Sequence, residues 1–249
     1  MEQIPFALND VYKGDCFYLM RQLPDKSVDC VITDPPYNAN LDYENYDDTK
    51  SEEDYKQFCI RLFYEVKRIC KKTFIITPGM NNLHIWLGIK KPNCIISWYK
   101  PNTVSRNQCM GFDCWEPILY YSLSEVIKHR VPINHYSYLV NFEQGVDWHP
   151  CPKPLKMMRK LVGDYSNPDD VILDPFAGSG TTLFAAKQLG RRYLGFDMSE
   201  YYVQKMKERL SQELLISFDG FKSFELNKNE DDYVKEAIEI ENNHQEETE

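Results

Sequence analysis

Six short apolar runs punctuate the chain: 28–33 (VDCVIT), 73–77 (TFIIT), 94–98 (CIISW), 117–121 (PILYY), 171–173 (VIL) and 192–196 (RYLGF). Each is rich in β-branched and aromatic residues and bounded by polar or turn-forming positions, a pattern that predicts strands. Between the first two the period changes. In SEEDYKQFCIRLFYEVKRICKK the apolar positions Tyr55, Phe58, Cys59, Leu62, Phe63, Val66, Ile69 and Cys70 recur at helical spacing. Ser51 is a suitable N-cap, with acids in the first turn and lysines in the last. A second helix is predicted from Ser179 or Gly180 to Gly190, and a third from about Ser199 with Tyr202, Val203, Met206 and Leu210 on one face. Strands alternating with helices predict an α/β fold, a mainly parallel sheet with helices on both faces.

Two of these strands stop on an acid. In VDCVITDPPYNAN the strand runs into Asp34, and Pro35 and Pro36 cannot donate to a sheet ladder. Ligands in open α/β sheets bind beyond the carboxyl ends of strands, although a rigid strand-to-loop turn explains Asp-Pro-Pro taken alone. In VILDPFAGSG the strand ends on Asp174, and Gly178 and Gly180 open a turn before the helix TTLFAAKQLG. Such glycines let the backbone approach a ligand closely. The next strand ends on Asp197, 23 residues after Asp174, where an acid can hydrogen-bond ribose hydroxyls. The dinucleotide pattern GxGxxG is not met, because Thr181, Thr182 and Leu183 follow Gly180, and no Walker lysine is present. A ligand with ribose but no pyrophosphate fits better, and S-adenosylmethionine is the candidate.

Charge matters once it is located. Of the net −9 of the 249 residues, residues 212–249 hold 12 acids and 3 bases, and the rest of the chain holds 26 of each. Residues 100–160 carry 8 bases against 5 acids, a weak basic footprint for a nucleic-acid binder. The acidic stretch is poor in large apolar residues and is expected to be a flexible tail. Eight cysteines include no CxxC pair, and Cys109 and Cys114 have no histidine at zinc-finger spacing, so reduced core thiols are expected and no metal site. No run of 18 apolar residues occurs, and MEQIPFALND lacks a basic start and an apolar h-region. Neither membrane span nor signal peptide is expected, and a cytoplasmic location is.

TDPPYN together with DPFAGSGTT resembles the DNA amino-methyltransferases that modify the exocyclic amine of adenine or cytosine. The DPPY motif precedes the FxGxG motif by about 140 positions, from Asp34 to Asp174, an order similar to the beta class of that family. GDCFYLMRQLPDKSVD, IISWYKPN, WEPILYY and HPCPKP resemble further family segments, so that the likeness covers about residues 9–212. It implies a Rossmann-like fold, S-adenosylmethionine as cofactor and DNA as substrate. Asp34, where cytosine-N4 enzymes tend to carry serine, implies adenine. By the same resemblance the Asp34 carboxylate and the Pro35 carbonyl accept the two amine hydrogens, Pro36 helps to lock the loop, and Tyr37 stacks on a base swung out of the duplex.

For the cofactor the resemblance implies that Asp174, Phe176, Gly178 and Gly180 line its methionine and ribose side. Asp197 takes the ribose hydroxyls, Asp15 lies near the adenine, and Lys153 or Thr181 holds the amino-acid end. Asp15 also reads as a plain turn acid and Lys153 as a solvated helix start. A catalytic domain over 1–211 and a tail over 212–249 are expected. Target recognition is expected in about 122–148, where Lys128, His129, Arg130, Asn134, His135 and Tyr136 are candidate DNA contacts. The acidic loop NANLDYENYDDTK reads as a lid. Trp98, Tyr99 and Trp115 read as core, and His149 as structural. Two alternatives stay open: the same fold acting on cytosine N4 or RNA, and a cofactor-binding subunit active only with a partner. A homodimer is compatible with the small recognition segment.

Overall fold

The structure, a computed structural model, describes residues 3–38, 49–103, 114–124, 134–139 and 146–211. In chain order its elements are β1 (Asp10–Lys13), α1 (Cys16–Arg21), β2 (Val28–Thr33), α2 (Glu52–Ile69), β3 (Cys70–Ile76), α3 (Leu83–Ile89), β4 (Cys94–Tyr99), β5 (Trp115–Ser122), β6 (His135–Ser137), α4 (Leu155–Tyr165), β7 (Val171–Asp174), α5 (Thr181–Gln188), β8 (Arg192–Asp197) and α6 (Glu200–Ser211). The strands form one sheet in the order β1-β8-β7-β2-β3-β5-β4-β6. Neighbours run parallel except at β5, which is antiparallel to both β3 and β4.

Period-two alternation sorts the core into two layers. Phe74, Ile76, Leu119, Tyr121, Val171, Leu173, Leu194 and Phe196 face α1, α2 and α3. The residues between them, including Ile75, Ile118, Tyr120, Ile172 and Tyr193, face α4, α5 and α6. β2 is buried along its whole length, as expected of a central parallel strand covered on both sides. Gly195 in β8 is set by that packing: a Cβ there would meet Leu183 Cδ1 at 2.3 Å and Val11 Cγ1 at 2.9 Å. Gly195→Ala should therefore cost about 1–3 kcal/mol of stability. Thermal denaturation checks this, and an unchanged Tm would show that α5 does not press on the sheet at this point.

All six expected strands are present, and two more join them. β1 has only Val11 fully buried, and β6 is three residues long at a sheet edge, so neither carries a readable run. α1, α3 and α4 also add to the three expected helices. Ser51 caps α2 as expected, its Oγ accepting from Asp54 N at 3.1 Å.

Three aromatic expectations change. Trp98 is buried, but Tyr99 and Trp115 are 39% and 38% exposed. The alternation that buries Trp98 turns Tyr99 the other way, and Trp115 is its register partner across the β4–β5 pair. Tyr136, a candidate DNA contact, is buried instead and donates to Asp164 Oδ2 at 2.6 Å. Lys128, His129 and Arg130 lie outside the described residues, as do the acidic tail, Cys109 and positions 39–48 of the segment expected to be a lid.

Cys16, Cys30, Cys59 and Cys70 are buried, Cys94 is half-buried, and Cys114 and Cys151 are exposed. Burial pushes the Cys59 and Cys70 thiols up to about 12 and about 11, which suits inert core positions. No helix among the described residues is long and apolar enough to cross a membrane.

Candidate active site

The crossover from β2 goes through α2 to β3 on one side, and that from β7 goes through α5 to β8 on the other. β2 and β7 are neighbours, so the sheet's topological switch point lies between them, where ligands of such sheets bind. The carboxyl ends of five parallel strands deliver Gly14 and Asp15 (β1), Asp34 (β2), Thr77 (β3), Asp174 (β7) and Asp197 (β8) to one end of the sheet. A cavity of about 620 Å³ opens there, lined by Asp15, Asp34, Lys153, Asp174, Gly178 and Asp197 among others.

The Asp-Pro-Pro-Tyr corner is over-determined. Asp34 Oδ1 accepts from Tyr37 Oη at 2.5 Å and from Thr77 Oγ1, while Oδ2 accepts from Lys153 Nζ. Lys153 Nζ also lies 3.1 Å from Tyr37 Oη. The Pro36 carbonyl accepts from Tyr55 Oη at 2.8 Å, and the Tyr37 carbonyl from Asn82 Nδ2 at 2.7 Å. Tyr37 rests on Gly79, whose φ of +70° and 3.1 Å gap from an added Cβ to the Tyr37 ring suit glycine alone. Burial, with the Asp34 charge beside it, holds the Tyr37 phenol well above its ordinary range, so that it stays a donor. Burial opposes the charge on Lys153, but the Asp34 carboxylate outweighs it and keeps the ammonium charged. Beyond the corner, Asn38 and Lys50 bond to each other twice, at 2.8 and 2.7 Å.

The second half of the cavity is built on β7 and β8. Asp174 is buried; its Oδ1 accepts from Thr33 Oγ1 at 2.7 Å, which ties the two motif strands together, and from Phe176 N at 3.1 Å. Burial pushes its carboxyl up to about 6. Gly178 turns at φ +48°, and its N–H donates to Asp197 Oδ2 at 2.9 Å, while Ser199 N donates to Oδ1 at 2.8 Å. A carboxylate has about four acceptor sites, so Asp197 keeps capacity toward the cavity. The His149 ring sits over Gly178, where an added Cβ would lie 2.8 Å from Nε2. Burial lowers the His149 ring to about 4, which leaves it neutral and unsuited to general acid–base work near pH 7. The facing wall comes from α1 and α2. Phe58 lies edge-on to Phe17 at 5.6 Å, and the Arg61 guanidinium stands 3.8 Å over the Phe17 ring.

A family described as DNA methylase matches residues 28–208, from the first residue of β2 into α6. The chain belongs to this family. The type II methyltransferase M.HpaI of Haemophilus parainfluenzae is 29% identical over 240 residues, spanning 83% of this chain and 74% of that enzyme. The fold is shared with the PvuII DNA methyltransferase (cytosine-N4-specific), at a TM-score of 0.68 and 19% identity over 84% of this chain and 88% of that one. It is shared also with M1.HpyAVI in its SAM complex, at a TM-score of 0.62 and 23% identity over 82% and 99% of the two chains.

In this DNA methylase Asp15, Asp34, Pro36, Lys153, Asp174, Phe176, Gly178, Thr181 and Asp197 of the expected residues line the cavity. Pro35 and Tyr37 are not among the lining residues; Pro35 is buried, and Tyr37 donates to the lining Asp34. Gly180 serves the turn: at φ +71° it precedes α5, and an added Cβ would stand 2.9 Å from Met206 Cγ. Thr181 Oγ1 is engaged by Arg209 Nη1 at 3.0 Å. Asp15 caps α1, accepting from Tyr18 N at 2.8 Å, so the turn-acid reading holds at a position that also borders the cavity. Lys153 is neither solvated nor apart from the Asp-Pro-Pro-Tyr corner, since its ammonium is on Asp34. Thr77 escaped the sequence reading. Its signal was positional, being the residue that follows β3 beside the end of β2, with its N–H on the Thr33 carbonyl at 3.2 Å.

Proposed function

We propose that this DNA methylase transfers the methyl group of S-adenosylmethionine to the N6 amine of an adenine swung out of duplex DNA. The reading rests on one observation: Asp34, first residue of an intact DPPY corner, presents its carboxylate at the switch point beside a cavity of cofactor size. The residues fit the cofactor. The cavity volume of about 620 Å³ lies in the range of small-molecule sites. Gly178 brings backbone to its wall, Asp197 retains acceptor sites for ribose hydroxyls, and buried Asp174 is a natural partner for an ammonium. When bound, S-adenosylmethionine supplies an electrophilic methyl on its sulfonium.

The remaining work falls to the chain. An exocyclic amine is a poor nucleophile, because its lone pair is delocalised into the ring. Asp34 and the Pro35 carbonyl accept its two hydrogens, fix its direction and favour a tetrahedral nitrogen. Tyr37 turns from Asp34 to stack on the base. As the new N–C bond forms the amine proton becomes acidic and passes to Asp34 or to water. The acceptor pair serves adenine N6 and cytosine N4 alike. The choice of adenine follows from the aspartate at position 34 and the resemblance it carries.

Incubation with methyl-labelled S-adenosylmethionine and unmethylated DNA, with RNA in parallel, is expected to yield labelled N6-methyladenine in DNA. Nucleoside mass spectrometry reads the product. Labelled N4-methylcytosine would overturn the base assignment and keep the mechanism. Label in RNA alone would overturn the substrate.

A further inference from the structure

The HPCPKP segment joins the two halves of the site. His149 lies over Gly178 in the glycine turn, and Lys153, four residues on, reaches Asp34 in the DPPY corner. Pro150, Pro152 and Pro154 alternate along it, fixing φ at three of the five positions after His149. Pro154 is the N-cap of α4. Lys153 is therefore held by its flanks rather than left to search, and its side chain is only 14% exposed. A solvated helix-start lysine would be open to water. A lysine serving the amino-acid end of the cofactor would direct its charge there, and not onto the carboxylate meant for the substrate amine.

We propose that Lys153 is a positioning residue for methyl transfer that acts through Asp34; this rests on the function proposed above. Three donors occupy the Asp34 carboxylate: Tyr37 and Thr77 on Oδ1, and Lys153 on Oδ2. A carboxylate accepts about four. When Tyr37 swings away to stack on the base, Oδ1 regains a site for the amine hydrogen. Thr77 and Lys153 then hold one oxygen each, and the carboxylate keeps its plane while its substrate-facing site is exchanged. Lys153 also supplies the counter-charge that a part-buried carboxylate needs once base and cofactor exclude water. In the transfer the amine nitrogen forms a bond to the methyl carbon and the sulfonium–carbon bond breaks. The thioether leaves with that electron pair, and the amine loses one proton. Lys153 takes no part in that balance.

The test uses the full chain with Lys153→Met, Lys153→Arg, Asp34→Asn and the Met/Asn double variant. Calorimetry gives the S-adenosylmethionine Kd, and single turnover at saturating cofactor gives the transfer rate. Lys153→Met is expected to leave the Kd within about threefold and lower the rate by about 100-fold, with Lys153→Arg recovering about tenfold of the loss. In the Asp34→Asn background, Lys153→Met should cost little more. A weakened Kd with a normal rate at saturation would make Lys153 a cofactor ligand and overturn the proposal, as would an equal rate loss in both backgrounds. A wild-type chain that labels no nucleic acid would sink the methyltransferase reading instead. The pairing would then be read from the Tm values of wild type, Lys153→Met, Asp34→Asn and the double variant, non-additive shifts supporting it and additive shifts overturning it.

Discussion

Replacing Asp34 by alanine is expected to lower the single-turnover rate of methyl transfer by about three orders of magnitude while S-adenosylmethionine binding persists. The geometry separates the two effects. Asp34 hangs from the end of β2 and bonds to Tyr37, Thr77 and Lys153, whereas Asp174, Gly178 and Asp197, proposed above for the cofactor, hang from β7 and β8. Loss of the carboxylate removes the acceptor for one amine hydrogen and with it the alignment of the lone pair. It also strands the Lys153 ammonium in a site with little water, so the alanine variant should lose stability as well. Asp34→Asn is the companion variant. It retains one acceptor oxygen, and its rate should fall between those of wild type and alanine. Calorimetric loss of cofactor binding in parallel with the rate would show that Asp34 belongs to the cofactor site.

Asp174→Asn should do the opposite to stability. Burial raises the Asp174 carboxyl from its ordinary 3.8 to about 6, so folding works against its charge. Above about pH 6 the group is ionised in both folded and unfolded chains, and the full penalty is present. As pH falls below that, the folded chain takes up the proton first, and the penalty fades until the unfolded value of 3.8 is reached. The asparagine variant keeps an oxygen for Thr33 and Phe176 N but carries no charge. At pH 7 it is expected to be about 2–3 kcal/mol more stable, roughly 5–10 °C in Tm, with the advantage shrinking toward pH 4. Cofactor affinity should fall at least about tenfold, since an ammonium partner loses its counter-charge. In the wild type, affinity should climb between about pH 5 and pH 7 as Asp174 ionises. A Tm difference that is the same at pH 4.5 and pH 7.5 would rule out buried charge as its cause.

Both motifs were legible because each is written at a strand's end. A proline pair after Thr33 and a glycine pair after Asp174 mark where ladders stop, and those marks survive without knowledge of which strands are neighbours. The relations between the motifs were not legible. Thr33 to Asp174 spans 141 positions and Lys153 to Asp34 spans 119, and no local period encodes either. Thr77 was overlooked for the same reason, as its importance comes from β3 pairing beside β2. α4 was a different omission. Met157, Met158, Leu161, Val162 and Tyr165 follow helical spacing and are all buried, but the prolines before them draw the eye to a turn. Trp98 and Tyr99 differ only by one step of strand alternation, and a run of aromatics does not say which step faces inward.

The switch point has one more consequence, for the history open to such a chain. β2 and β7 meet side by side, and each leads through its own turn and crossover helix to the next strand on its side, β3 or β8. The Asp-Pro-Pro-Tyr corner hangs from the end of β2, and the glycine turn with its two acids from β7 and β8, with Thr33 bonding to Asp174 and Lys153 to Asp34. A gene could exchange the order of its halves and keep the chemistry, provided that the strap bearing His149 and Lys153 still crossed from one to the other.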